Sequence, residues 1–309
     1  MWNTKISFNS IVNTACELTT SSCDFYEAMM RKQVLMSVDV EDWFQVETMR
    51  EKFPLKSWKF QSYRIENNVN RILDLLDRSE TKATFFCLGG LAKKFPEMIR
   101  LIHSEGHEIA SHGFSHQMLN ELSDDQVRIE LTESKAVLEN IIGDQIFGFR
   151  APTFSTRDSI YPLLKEAGYT YDSSLNLFKH HDKYGSVDMK NFREISPGLL
   201  EHNTGIKVLT IPTLKSLGLE IPWGGGGYFR LIPYHLYKKG VQNYLSKDDF
   251  FMFYTHPWEI DQSQPRVRGL SMSSYFRHYN GLNRTHSNLK SFLNDFQCTS
   301  IADSGILKE

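Results

Sequence analysis

The chain has 309 residues, 40% hydrophobic and 23% charged, with a formal net charge of −2. That is the balance of a globular protein with room for one large α/β domain. It offers no global basic field of the kind that draws a protein onto nucleic acid, and no apolar run long enough for an ordinary transmembrane helix.

In chain order, residues 1–30 read as a poorly structured N-terminal extension, with Met29 and Met30 placed just before the first convincing strand. The extension interleaves polar residues throughout and lacks the apolar stretch of a secretory signal, so a cytoplasmic location is the expectation. Its Cys16 and Cys23, like Cys87 and Cys298, show no C-x-x-C spacing and read as reduced thiols.

From residue 31 to 309 a single domain is expected, because short β-rich runs alternate with amphipathic helical windows, the pattern of βα units around a mostly parallel sheet or barrel. Strands are predicted at Val34–Val40, Ala83–Leu88, Glu108–Ser111, Ile146–Arg150, Thr170–Asp172, Lys207–Thr213 and Phe250–Thr255. Helices are predicted at Ile65–Arg78, Leu91–Ser104, Asp124–Ile142, Asp158–Ala167, Pro233–Leu245 and His286–Phe296. The third carries a capping signature, Ser123 with Gln126 three residues on, and Gly143 closes it.

Polar residues that fit no core pattern collect just after these strands, at the ends that share one rim in a parallel barrel. After the first strand come Asp39, Glu41 and Asp42 within four positions. Carboxylates packed so closely are costly unless a cation neutralises them or one stays protonated, which favours metal binding over a simple turn. After the third strand, His112 and His116 stand four apart with a glycine between them, able to hold one divalent ion beside a carboxylate or merely to satisfy local hydrogen bonds.

Arg150 ends the fourth strand before Ala151-Pro152-Thr153 and could pair with Asp39. His256 ends the last strand before Pro257-Trp258, where its adjustable charge suits a general acid. The glycine run in Pro222-Trp223-Gly224-Gly225-Gly226-Gly227-Tyr228-Phe229 lacks the grammar of a phosphate cradle. It reads either as a flexible loop or as a wall of a sugar-binding cleft.

The ordered set Asp39-Val40-Glu41-Asp42, His112-Gly113-Phe114-Ser115-His116, Arg150-Ala151-Pro152-Thr153 and Thr255-His256-Pro257 resembles the polysaccharide deacetylases, carbohydrate esterase family 4. Ser37–Trp43, Gly224–Tyr234 and Tyr254–Asp261 look like the branch found in bacterial exopolysaccharide clusters. The resemblance implies a distorted, incomplete (β/α) barrel with a C-terminal family-specific extension, a divalent metal with zinc foremost, and N-acetylated glycan as substrate.

By that resemblance Asp39 is the catalytic base, Arg150 orients it, and His256 is the general acid. His112 and His116 are metal ligands, joined by Glu41 or Asp42. Pro152, Thr153, Trp223, Tyr228 and Trp258 are expected to face substrate. Two departures stand out. Val40 occupies the place of the family's second adjacent aspartate, and strand alternation then favours Glu41, which shares a side with Asp39. The family's tryptophan-rich fourth motif is replaced, if at all, by Tyr171-Asp172-Ser173-Ser174. An allantoinase-like amide hydrolase of the same fold, an inactive glycan-binding protein and a scaffold of polysaccharide assembly are the rival readings.

Overall fold

The computed structural model describes residues 32–176, 185–216 and 219–308, so the expected extension with Cys16 and Cys23 lies outside the described residues. The main sheet is built from β1 (Gln33–Val40), β2 (Thr84–Cys87), β3 (Glu108–Ser111), β4 (Gly148–Phe149), β5 (Tyr171–Asp172), β6 (Phe192–Ser196), β7 (Leu199–His202), β8 (Lys207–Leu209), β9 (Phe250–Thr255) and β10 (Cys298–Thr299). Its order is β9-β1-β2-β3-β4-β5-β8-β7-β6, with β10 also pairing the start of β1. Pairing is parallel from β9 through to β8, and antiparallel at β8–β7 and β7–β6.

Strand side chains alternate between faces. Val34, Met36, Val38 and Val40 therefore lie in the outer core beneath the helices. Leu35 lies in a separate inner cluster with Phe86, Ala110, Tyr171, Leu209 and Met252, drawn from five other strands. Among the described residues no ladder joins β6 to β9. Leu199 of β7 nonetheless shares the inner cluster with Phe250 of β9, and the Phe250 ring comes so close to Gly198 that a Cβ there would stand 3.1 Å from it. The sheet is thus curled into a distorted, incomplete barrel whose seam is filled by side chains.

The helices on its outside are α1 (Ile65–Arg78), α2 (Gly89–Lys94), α3 (Pro96–Ser104), α4 (Asp124–Ile142), α5 (Ile160–Glu166), α6 (Gly226–Leu231), α7 (Tyr234–Leu245), α8 (Met272–Tyr279) and α9 (Leu282–Asp295). The capping box Ser123–Gln126 and the left-handed Gly143 bound α4 as its sequence signals implied. The window expected to be one helix over 91–104 is split at Phe95, because the residue before a proline is pushed out of the helical region and Pro96 starts a new helix. The antiparallel strands β6 and β7, the ribbon Thr213–Ser216 with Leu219–Pro222, and helices α6 and α8 have no counterpart among the predicted elements. Among the described residues, no helix is long and apolar enough to cross a membrane.

Candidate active site

The inner phase of each strand carries its polar residue to the C-terminal mouth of the barrel. Leu35, Ser37 and Asp39 alternate inward along β1, and Glu41 follows one step past its end; His256 just past β9 continues the inward phase of Met252, and His112 just past β3 that of Ala110. There, Glu41 Oε1 lies 3.0 Å from His112 Nε2 and 2.9 Å from His116 Nε2. His112 Nδ1 sits 2.8 Å from the Arg150 carbonyl, which can only accept, so this nitrogen carries the proton. In the neutral ring, Nε2 then presents a lone pair to a carboxylate, an arrangement that a shared cation resolves.

A tight loop brings the two histidines together. Gly113 is left-handed at φ 75° and His116 at φ 59°, an uncommon conformation for a side-chain-bearing residue. Buried Glu130 of α4 holds the loop by accepting from the amides of Phe114 and Ser115 and from the Ser115 hydroxyl. Burial alone would raise the Glu41 carboxyl, but His116, His256 and His112 hold it well below the usual carboxylate range.

Beside this trio, Arg150 Nη1 donates to Asp39 Oδ1 at 2.6 Å and to Ser37 Oγ at 2.9 Å. Ser173 fixes the rest of the guanidinium, its hydroxyl accepting at 2.8 Å and its carbonyl at 3.2 Å. The Ser174 hydroxyl accepts from the Ala151 amide and donates to buried Asp172. The segment Tyr171–Ser174 therefore braces Arg150 and Ala151 from below.

His256 points Nε2 into the same space, 3.9 Å from Asp39 Oδ2 and 3.9 Å from Glu41 Oε1. Its Nδ1 meets Glu259 Oε2 at 3.0 Å, and Glu259 Oε1 accepts from Arg230 Nε at 2.7 Å. Burial opposes a charge on His256, yet Glu259, Glu41 and Asp39 together push its pKa up to about 9. Glu259 is itself drawn down to about 2 against burial, by Arg230 and His256. Neither Glu259 nor Arg230 was singled out in the sequence. The spacing His256-x-x-Glu259 was the available signal, but the fixing arginine lies 29 positions away.

Among the described residues, two trios bring their donor atoms within 4.8 Å of one another: Glu41 with His112 and His116, and Asp39 with Glu41 and His256. The first fits a divalent cation better. A protonated His256 has no lone pair to give, and Asp39 is already engaged by Arg150. One carboxylate and two imidazoles are a donor set suited to zinc, leaving positions open.

Asp42 does not join this set. Its Oδ2 accepts from the amides of Arg64 and Ile65 at 2.7 and 3.1 Å, and its Oδ1 from Trp43 at 2.8 Å, so it caps the start of α1. Burial raises its pKa to about 6 despite those amides.

Of the residues expected to face substrate, Trp223 belongs to the core. It stacks on Tyr237 at 5.3 Å with an interplanar angle of 8°, and its indole donates to the Tyr237 carbonyl. The glycines beside it are needed for contact with β9, since a Cβ on Gly225 would fall 2.0 Å from the Tyr254 carbonyl oxygen. Tyr228 is half-buried on α6, and no described contact ties it to the trio.

Trp258 is buried too. It lies 5.6 Å from the His256 ring and stacks on His278 at 4.5 Å and 4°, backing the histidine and offering no open platform to a sugar. Pro152 does border the histidine loop, 3.7 Å from where a Gly113 Cβ would stand. Half-buried Thr153 follows it at φ 57° and Phe154 at φ 55°, consecutive left-handed residues of the kind that collect at functional sites.

Comparison with known proteins gives this geometry a context. Residues 59–171 match the family model for polysaccharide deacetylase, and residues 173–304 match that of a domain of unknown function (DUF3473). The chain is similar to the peptidoglycan deacetylase-like protein of Gibberella zeae, 30% identical over 155 residues, which is 48% of this chain and 46% of that one. It is also similar to a peptidoglycan-N-acetylglucosamine deacetylase of Bacillus cereus, 30% identical over 99 residues, 32% of this chain and 46% of that one. The chain thus spans less than half the length of these two relatives. Among solved structures, a Mycobacterium smegmatis protein provisionally named a polysaccharide deacetylase has the same fold, with a TM-score of 0.55 at 20% identity over 89% of this chain and 88% of that one.

Proposed function

This chain belongs to the polysaccharide deacetylase family, and on that premise we propose that it hydrolyses the N-acetyl groups of amino sugars in a glycan or its lipid-linked precursor. The observation that carries the reading is the meeting, within one barrel mouth, of the Glu41–His112–His116 trio, the Arg150-bound Asp39 and the raised His256. Glu41, His112 and His116 would hold a divalent cation, with zinc the first choice. When bound, such a cation polarises an acyl carbonyl and makes water acidic enough to act as a nucleophile near neutrality.

The chain's own groups divide the proton work. Asp39 keeps Oδ1 on Arg150 and leaves Oδ2 facing the cleft, so Oδ2 is the atom that takes a proton from the attacking water. Glu259 favours the charged form of His256, which gives its Nε2 proton to the departing sugar nitrogen that would otherwise leave as a poor anion. The turn at Pro152–Phe154 forms its internal bonds with the amides of Phe154 and Ser155. The developing oxyanion is assigned to the Thr153 amide on the resemblance of Arg150-Ala151-Pro152-Thr153 to the family's motif.

The test is an acetate-release screen of the zinc-loaded protein on N-acetylglucosamine oligomers and on lipid-linked N-acetylated intermediates. Acetate from either class supports the reading, and the preferred class names the substrate. Release from neither, by protein of full metal content, would overturn it.

A further inference from the structure

Helix α8 is amphipathic in the wrong direction for a globular surface. Met272, Tyr275 and Phe276 fall at i, i+3 and i+4, one face of the helix, and are 90%, 43% and 53% exposed. Only His278 and Tyr279, at its C-terminal end, are buried. Among the described residues nothing covers the apolar ridge. Exposed apolar side chains scattered singly need no explanation, but three on one helical face mark a contact surface.

Within the segment that carries the ridge the charges have one sign. Between Gln262 and Asn280 the chain carries Arg266, Arg268 and Arg277, all exposed, and no acidic residue. Lys52 adds a fourth cation, its Nζ standing 3.2 Å from where a Gly269 Cβ would be. Glu47, the acidic residue of the short helix Glu47–Met49 against which α8 packs, faces Arg50 at 3.8 Å. An apolar ridge bordered by cations matches the two layers of an anionic bilayer surface, acyl chains below and phosphates above.

The helix stands at the rim of the candidate site. His278 Nδ1 lies 3.3 Å from Thr48 Oγ1, and its ring stacks on Trp258, which in turn lies beside His256. We propose that α8 docks the chain on an anionic membrane surface, with Met272, Tyr275 and Phe276 entering the interface and Arg266, Arg268 and Arg277 holding headgroup phosphates. The barrel mouth would then lie next to the lipid. Because the readout is lipid binding, the inference stands or falls apart from the acetyl chemistry.

The experiment is co-sedimentation of the full chain with phosphatidylcholine vesicles, with and without one-third phosphatidylglycerol. The wild type should pellet with the anionic vesicles, weakly with neutral ones, and progressively less as salt rises. Met272→Asp with Phe276→Asp should weaken anionic binding by about tenfold or more, and Arg266→Gln with Arg268→Gln by a similar factor. Both pairs replace exposed side chains, and a retained cooperative thermal transition certifies their fold; the arginine pair also gives up the Arg266 guanidinium lying 4.4 Å over the Tyr279 ring, so a small drop in its midpoint is expected. Equal pelleting of wild type and both variants, or no preference for anionic vesicles, would overturn the proposal. So would a wild-type dimer in solution that Met272→Asp with Phe276→Asp converts to monomer, because a second copy would then be what covers the ridge.

Discussion

Glu259 stands 3.0 Å from His256, accepting from ring Nδ1 with the same oxygen that takes the His256 amide at 2.9 Å. That contact fixes which nitrogen faces the cleft, and with Arg230 on its other oxygen Glu259 stays ionised and keeps the imidazole charged. Glu259→Gln should therefore lower the His256 pKa. The alkaline limb of kcat/KM, set by loss of the His256 proton, should move to lower pH, with activity near neutrality reduced about 10–100-fold. An alkaline limb that stays in place would leave Glu259 with a structural role only.

The two neighbouring carboxylates should separate cleanly by metal content. Glu41→Gln and His116→Ala are expected to lose a stoichiometric divalent ion. Asp42→Ala should keep it while losing about 0.5–2 kcal/mol of stability with the cap of α1. Elemental analysis beside thermal unfolding measures both, and metal loss from Asp42→Ala would return that residue to the ligand set.

Trp223→Ala should behave as a core deletion. Its stacking on Tyr237 and its burial imply a loss of about 3–5 kcal/mol in unfolding free energy, with KM for the glycan unchanged in the fraction that remains folded. A raised KM at unaltered stability would place the indole in the cleft after all.

Burial and the Arg230 charge depress the pKa of His278 to about 3, and burial and Lys82 depress that of His107 to about 4. Below the ordinary histidine value of about 6.5 the unfolded chain takes up protons that the folded chain refuses. Stability should accordingly be complete above that pH and fall as the pH drops from about 6.5 toward 3–4. His278→Gln is expected to be less stable than wild type at neutral pH, with the gap narrowing on acidification. Thermal melts between pH 7.5 and 5 read this, and a constant gap would contradict it.

The sequence carried the site further than it carried the fold's periphery. Asp39, Glu41, His112, Arg150 and His256 were legible because each sits at or just past the end of an apolar run, on the inward phase of its strand, where a core residue would otherwise stand. Arg230 and Glu259 were not, since an ion pair between a helix and a strand-end turn leaves no periodic trace. The glycine run misled because glycines signal loops, whereas Gly225 and Gly226 are there to let a backbone lie against Tyr254. The strands β6 and β7 were missed because they are short and antiparallel, and β6 has no fully buried position to reveal an alternation.

The most direct measurement of the central claim is acetate release by zinc-loaded Asp39→Asn, compared with wild type on the glycan that the wild type deacetylates, with metal content determined on the same samples. Asparagine keeps the shape beside Arg150 but cannot take up a proton as the carboxylate does. The account requires wild-type release of acetate, a loss on the order of 10²–10⁴ in kcat for the variant, and equal metal in both. Undiminished release by Asp39→Asn at full metal occupancy would contradict it.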